Sequence, residues 1–112
     1  MIASIPARRL ALSYIRIYTI LVDITFDAAK NARNIATRGI SFEQAIEFEW
    51  DSALVVADTR RDYGEIRFQA FGLIAERLHV LVFTPRSGKT HIISLPKANK
   101  REVERYEAQA QF

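Results

Sequence analysis

The chain has 112 residues, of which 49% are hydrophobic and 26% are charged, and its formal net charge is +3. This length and this balance predict one globular domain and exclude an intrinsically disordered chain. Because the sequence contains no cysteine, it also excludes a disulfide framework and a metal site built on thiolates.

The N-terminal segment differs in charge from the rest of the chain. Residues 1–21 carry three arginines and no acidic residue, and therefore account for the whole charge excess. The apolar stretch Leu10–Val22 contains Arg16, is too short to span a bilayer and has no small-residue cleavage site after it. We expect residues 1–21 to be an extension that is unstructured or lies upstream of the true start, and residues 22–112 to form the folded domain. We expect no association with a membrane.

A short strand and two helices are predicted first. Residues Ile24–Phe26 favour a strand. Asp27 is a suitable N-cap and Gly39 a suitable terminator for the first helix. Ser41 and Gln44 have the spacing of a capping box, which predicts a second helix. Four residues of the first helix share one face and are predicted to turn toward the core: Ala28, Ala32, Ile35 and Ala36.

The second half of the chain is predicted to form a sheet followed by a helix. Four strands are predicted, at Ala53–Ala57, Glu65–Leu73, Leu78–Thr84 and Thr90–Leu95. Leu78–Thr84 is apolar on both faces, which is typical of a central strand. A final helix is predicted from Lys97 to Gln109. The order β-α-α-β-β-β-β-α predicts an α+β domain in which an antiparallel sheet carries helices on one face.

Glu65 and Arg67 form the first candidate site. They lie two residues apart in a predicted strand, so they should project from one face about 7 Å apart. Arginine binds phosphate through two hydrogen bonds and a carboxylate can accept a proton, so the pair suits phosphate-ester chemistry. The alternative is a surface salt bridge with little effect on stability, which the spacing alone favours.

The C-terminal quarter supplies the other candidates. His91 lies near the basic segment and is a candidate acid–base residue, although a lone histidine on an apolar strand is more often structural. No third ligand with suitable spacing accompanies the two histidines, which argues against a metal site. A phosphate-binding surface or, alternatively, a solvated face is indicated by six basic residues: Arg86, Lys89, Lys97, Lys100, Arg101 and Arg105.

Several segments, taken in order, also carry a family resemblance. They are Phe26–Lys30 with Asn34 and Arg38-Gly39, Ile40–Ala45, Asp58–Arg60, Asp62–Glu65 with Arg67, Gly72, Ile92–Ser94, Lys97-Ala98, Glu102 and Tyr106. From about Ile24 to Tyr106 the chain resembles the BrnT family, the toxin half of a bacterial type II toxin–antitoxin pair. The resemblance implies a RelE-like ribonuclease fold and cleavage of messenger RNA in the cytoplasm, which stalls translation. It also implies neutralisation by a BrnA-type antitoxin with a ribbon-helix-helix domain, contact with DNA only through that antitoxin, and no metal or organic cofactor.

Metal-free RNA cleavage needs a base for the 2′-hydroxyl, cations for the phosphate and an acid for the leaving 5′-oxygen. We expect Glu65 to be the base, and His91 to be the acid. Arg67 and Lys97 would stabilise the developing charge. Five residues would guide the RNA: Lys30, Arg38, Arg60, Lys100 and Arg101. We also expect the antitoxin to cover the final helix and the Glu65–Arg67 pair together.

The chain departs from the family pattern at a few positions. Phe26 stands where many members have tryptophan, Arg38 replaces a common histidine and His91 replaces a frequent arginine. Pro96 falls where the family usually places a basic residue, and it is predicted to precede the last helix. Because proline carries no positive charge, we expect this toxin to fold normally but to cleave RNA slowly. We also expect Pro96→Arg to accelerate the cleavage. The alternative functions are a catalytically weak partner of the antitoxin in a DNA-binding repressor complex, and a plain RNA-binding domain.

Overall fold

The computed structural model describes residues 24–109, so the expectations for residues 1–21 concern a segment outside the described part and stay predictions. The strands are β1 (Ile24–Phe26), β2 (Leu54–Ala57), β3 (Phe68–Ile74), β4 (Arg77–Arg86) and β5 (Lys89–Ser94). The helices are α1 (Ala28–Arg38), two 3-10 helices (Phe42–Glu47 and Trp50–Ser52) and α2 (Lys100–Gln109). The predicted α+β class is confirmed.

The five strands form one sheet in the order β1-β5-β4-β3-β2. The central position of β4 is confirmed, and its residues 78–84 are buried. β1 pairs with β5 in parallel, so the expectation of a wholly antiparallel sheet is wrong. The long intervening chain separates β1 from β5, and no hairpin turn fixes their relative direction.

Helices cover both faces of the sheet, and the expectation of helices on one face is wrong. The 3-10 helices pack on the face of Leu81 and Phe83, which we call the 3-10 face. The helix α2 packs on the opposite face, over Leu78 and Val80, which we call the α2 face. A strand that is apolar on both sides requires cover on both sides, which explains the two layers.

The helix α1 is attached through a polar residue. Ile35, predicted to turn inward, is 46% exposed, whereas Asn34 is 3% exposed. The Asn34 Nδ2 donates to the carbonyl oxygens of Ile40 (2.9 Å) and Leu95 (3.1 Å). These bonds fasten α1 beside the end of β5.

Three predicted elements differ from the structure by more than two residues or in type. The second helix consists of two short 3-10 helices, and β3 begins at Phe68 rather than at Glu65. The last helix begins at Lys100 because the preceding residues still pair with β4: the Ala98 N–H donates to the Leu78 carbonyl. Pro96 therefore lies in an extended connection and not at the start of a helix.

Candidate active site

The loop between β2 and β3 is closed by a buried carboxylate. Asp58, 6% exposed, accepts hydrogen bonds from Arg60 Nε (2.8 Å), from Arg60 Nη2 (2.7 Å) and from the Tyr63 hydroxyl (3.2 Å). The bonds from Arg60 are the main reason that the pKa of Asp58 falls to about 2. The Asp58 N–H also donates to the Arg67 carbonyl, 2.8 Å away, which joins the two ends of the loop. Arg60, predicted to guide RNA, thus has a structural partner.

Arg67 is held on two sides. Its Nε donates to Glu65 Oε2 at 3.1 Å, and its Cζ lies 4.1 Å from the centre of the Tyr63 ring. Contact with an aromatic face favours a guanidinium and fixes its plane. Because Tyr63 is itself bound to Asp58, the buried carboxylate orients Arg67 through the tyrosine.

Glu65 has a second guanidinium as partner. Arg86, at the end of β4, donates from Nε to Oε1 (3.1 Å) and from Nη2 to Oε2 (2.9 Å). These bonds, followed by the one from Arg67, lower the pKa of Glu65. The pair Glu65–Arg67 is therefore an ion pair within a larger cluster, on residues that precede β3 rather than belong to it.

His91 lies on the same part of the sheet. It stands opposite Thr84 on β4 and beside Thr25 on β1, whose hydroxyl is 2.8 Å from the His91 Nδ1. Burial, and then the positive charge of Arg86, lower the pKa of His91, which Glu65 partly opposes. The imidazole is thus neutral near pH 7. Within residues 24–109 its Nε2 makes no hydrogen bond.

The four side chains form what we call the Glu65 cluster: Glu65, Arg67, Arg86 and His91. By the alternation of β4, Arg86 projects from the α2 face, beyond the part that α2 covers. The cluster combines one carboxylate, two guanidiniums and one neutral imidazole, and so carries a net positive charge. Such a set can bind a phosphodiester and can accept a proton from a hydroxyl group.

Lys97 and Pro96 lie elsewhere. Lys97 forms a β-bridge with His79, seven residues from Arg86 along β4, a separation of about 23 Å. The Pro96 carbonyl accepts from the Val80 N–H (2.9 Å), at the same end of the strand. The structure therefore does not bring either residue to the Glu65 cluster.

The remaining predicted RNA contacts lie on the two helices. Lys30 and Arg38 lie on α1, and the charge of Lys30 contributes to the lowered pKa of His91. Lys100 lines a cleft of about 500 Å³ between α2 and the turn that joins β3 to β4. Arg101 is exposed on α2.

Two members of this arrangement were missed by the sequence analysis. Arg86 was assigned only to a broad basic surface, and no role was given to Tyr63. A signal for Arg86 existed in the dipeptide Ser87-Gly88, because glycine favours the positive φ of a two-residue hairpin turn. In the structure both residues have positive φ. A turn at those two residues places Arg86 at the strand end. The contact between Tyr63 and Arg67 depends on the loop conformation, for which we know no sequence signal.

Residues 24–109 contain no group of three or more metal-ligating side chains placed to hold an ion. No helix in this part of the chain is long and apolar enough to cross a membrane.

In a comparison with protein families, residues 26–102 match the family described as ribonuclease toxin, BrnT, of type II toxin–antitoxin system. No curated protein matches the chain. The matched segment includes the whole Glu65 cluster.

Proposed function

The chain belongs to the BrnT family of ribonuclease toxins of type II toxin–antitoxin systems, and we propose that it is a metal-independent endoribonuclease that inhibits translation in the bacterial cytoplasm. The observation that supports this proposal most strongly is the Glu65 cluster, in which one carboxylate holds two guanidiniums. A mixed five-stranded sheet with helices is compatible with a RelE-like fold.

Arg67 and Arg86 bind the scissile phosphate. Only the Nε of Arg67 is hydrogen-bonded to Glu65, so the N–H groups of both its Nη atoms are available to a ligand. The Nε and Nη2 of Arg86 are hydrogen-bonded to Glu65, and its Nη1 is available to a ligand. Together the two guanidiniums stabilise the charge that develops on the phosphate oxygens during cleavage. Glu65 holds them in position.

As the 2′-oxygen attacks the phosphate, the leaving 5′-oxygen takes a proton from water. His91, which the sequence predicted to be the acid, instead takes the proton from the 2′-hydroxyl. The sequence assigned this role to Glu65, but a carboxylate with a lowered pKa and two cationic partners is a weak base. The neutral His91 is the better acceptor in the tautomer whose Nδ1–H donates to the Thr25 hydroxyl, because the lone pair of Nε2 then has no partner among the described residues. Lys97 has no place in this mechanism because it lies at the other end of β4.

The partner of the toxin is an antitoxin, which we propose to be of the BrnA type with a ribbon-helix-helix domain that carries the DNA contacts. The Glu65 cluster and α2 share one face of the sheet. A single bound segment can therefore cover both, and inhibition then follows from occlusion. Footprinting of the complex should protect Lys100 and Arg101. Protection confined to the 3-10 face would contradict occlusion.

Cleavage of a messenger RNA by the purified chain, in the presence of a chelator, tests the proposed activity. The wild type should cleave, and Arg67→Ala should reduce the rate by at least about a hundredfold. Arg61→Ala removes an exposed arginine from the same loop and serves as the matched control. A 2′-deoxy substitution at the cleaved position should block the reaction. The proposal fails if the wild type needs a divalent metal, or if Arg67→Ala cleaves as fast as Arg61→Ala.

A further inference from the structure

A second cleft lies beside the Glu65 cluster, between α1 and the end of β5, and its volume is about 240 Å³. Three cationic side chains line it from α1, namely Lys30, Arg33 and Arg38. Ser94 lines it from β5. The cleft exists because β1 pairs with β5 only as far as Ile92, so the last residues of β5 have α1 rather than a strand beside them.

Among the described residues, the Asp27 carboxylate is an anion that acts on Lys30 and Arg33, and it does so without forming an ion pair with either. Within residues 24–109 none of the three cations forms an ion pair with a carboxylate. The Arg38 Nη1 donates to Asn34 Oδ1 at 2.8 Å, and the buried Asn34 is anchored to the backbone, so one guanidinium is held in place. Three like charges around one cleft repel each other, and a bound anion would relieve that repulsion.

The cleft adjoins the Glu65 cluster along β5. Ser94 follows His91 by three residues, which corresponds to about 10 Å of strand. The charge of Lys30 reaches His91, because it contributes to the lowered pKa of the imidazole. One phosphate occurs about every 3.4 Å along a stacked strand, so the cleft lies roughly three nucleotides from the cluster.

We propose that this cleft is a second phosphate subsite, which binds the RNA backbone about three nucleotides from the bond that is cleaved. The inference rests on the proposed ribonuclease function, and it adds Arg33, which the sequence analysis did not assign to RNA binding. The guanidinium of Arg33 and the hydroxyl of Ser94, which makes no hydrogen bond with the described residues, supply the direct contacts. The subsite sets affinity and register but takes no part in the chemical step.

Binding of uncleavable RNA tests the subsite without relying on catalysis. The probes are a 2′-O-methyl RNA of about ten nucleotides and a 2′-O-methyl dinucleotide, which is too short to reach both sites. Arg33→Gln should weaken binding of the longer probe about tenfold, should lower the slope of log K against log salt by about 0.7, and should leave binding of the dinucleotide unchanged. Arg77→Gln, which removes an exposed arginine at the far end of β4, is the matched control.

A methylphosphonate scan of the longer probe locates the contact. One neutral linkage should weaken the wild type and have no further effect on Arg33→Gln. The subsite is refuted if Arg33→Gln binds like Arg77→Gln, or if it weakens the dinucleotide as much as the longer probe. If the binding results are as expected but the wild type cleaves no RNA, the subsite is supported and the proposed catalytic function is refuted.

Discussion

At the scale of single residues, Tyr63 connects the buried Asp58 to the guanidinium of Arg67. Its hydroxyl donates to the carboxylate and its ring lies against the guanidinium. The two contacts use different parts of the side chain, so substitution can separate them. Orientation of Arg67 depends on the ring, whereas the position of the ring depends on the hydroxyl.

We therefore expect Tyr63→Leu to reduce the rate of RNA cleavage about tenfold, because Arg67 loses the surface that fixes its plane. Tyr63→Phe keeps the ring but loses its bond to Asp58, so its rate should lie between those of Tyr63→Leu and the wild type. The measurement is the single-turnover rate together with the affinity for uncleavable RNA, which should change little in either variant. Equal rates for the two variants would show that the ring does not position Arg67.

The pH dependence of cleavage reports the proton acceptor. A base acts in its deprotonated form, so the rate should rise with pH through the pKa of His91 and level off above it. Because that pKa is lowered from its ordinary value, the midpoint should lie on the acid side of that value. Arg86→Gln removes a charge that lowers this pKa, so the midpoint should move to higher pH even though the rate falls. An unmoved midpoint would exclude His91 as the base.

At the scale of elements, Gly72 allows the ring of Phe48 to pack directly against β3. A Cβ at this position would collide with the ring of Phe48, which lies against the strand. Phe48 in turn packs edge-on against Trp50, with ring centres 4.7 Å apart. The glycine therefore lets an aromatic ring approach the sheet closely.

We expect Gly72→Ala to destabilise the fold by about 1–3 kcal/mol, the usual cost of overpacking. Urea unfolding measures this change in the free energy of unfolding. The double variant Gly72→Ala/Phe48→Leu should be destabilised by less than the sum of the two single variants. If Gly72→Ala is as stable as the wild type, the close approach of Phe48 does not constrain this position.

The sequence predicted the type of most elements but not their ends, and the misses have physical causes. The capping box of Ser41 and Gln44 is present, but it begins a 3-10 helix. The last helix was placed too early because Lys97 and Ala98 continue to pair with β4, a long-range contact that local patterns do not show. The helix α1 is attached by hydrogen bonds of Asn34 rather than by apolar contacts, so its hydrophobic periodicity was misleading.

At the scale of the whole molecule, strand pairing decides which charged residues meet. The pair Glu65–Arg67 was recognisable from its spacing, and the structure keeps the two residues together. Arg86 joins them only through the path of β4, twenty-one residues along the chain from Glu65. Lys97 pairs with His79 near the opposite end of β4 and therefore lies far from the cluster. A sequence can show which side chains suit the chemistry, whereas the sheet determines which of them share a site.

Pro96 gives a further test at this scale. The sequence predicted that Pro96→Arg would accelerate cleavage, but residue 96 pairs with Val80, about 20 Å along β4 from Arg86. We now expect Pro96→Arg to cleave RNA at the wild-type rate. A faster variant would place the reaction near the start of α2.

The central claim is that RNA is cleaved at the Glu65 cluster and not at the opposite end of β4. The single-turnover rate of cleavage of one messenger RNA by Arg86→Gln and by Lys97→Gln tests it most directly, since each change removes one cation. We expect a loss of about a hundredfold for Arg86→Gln, as for other groups that stabilise transition-state charge, and the wild-type rate for Lys97→Gln. A slow Lys97→Gln beside an unimpaired Arg86→Gln would contradict it.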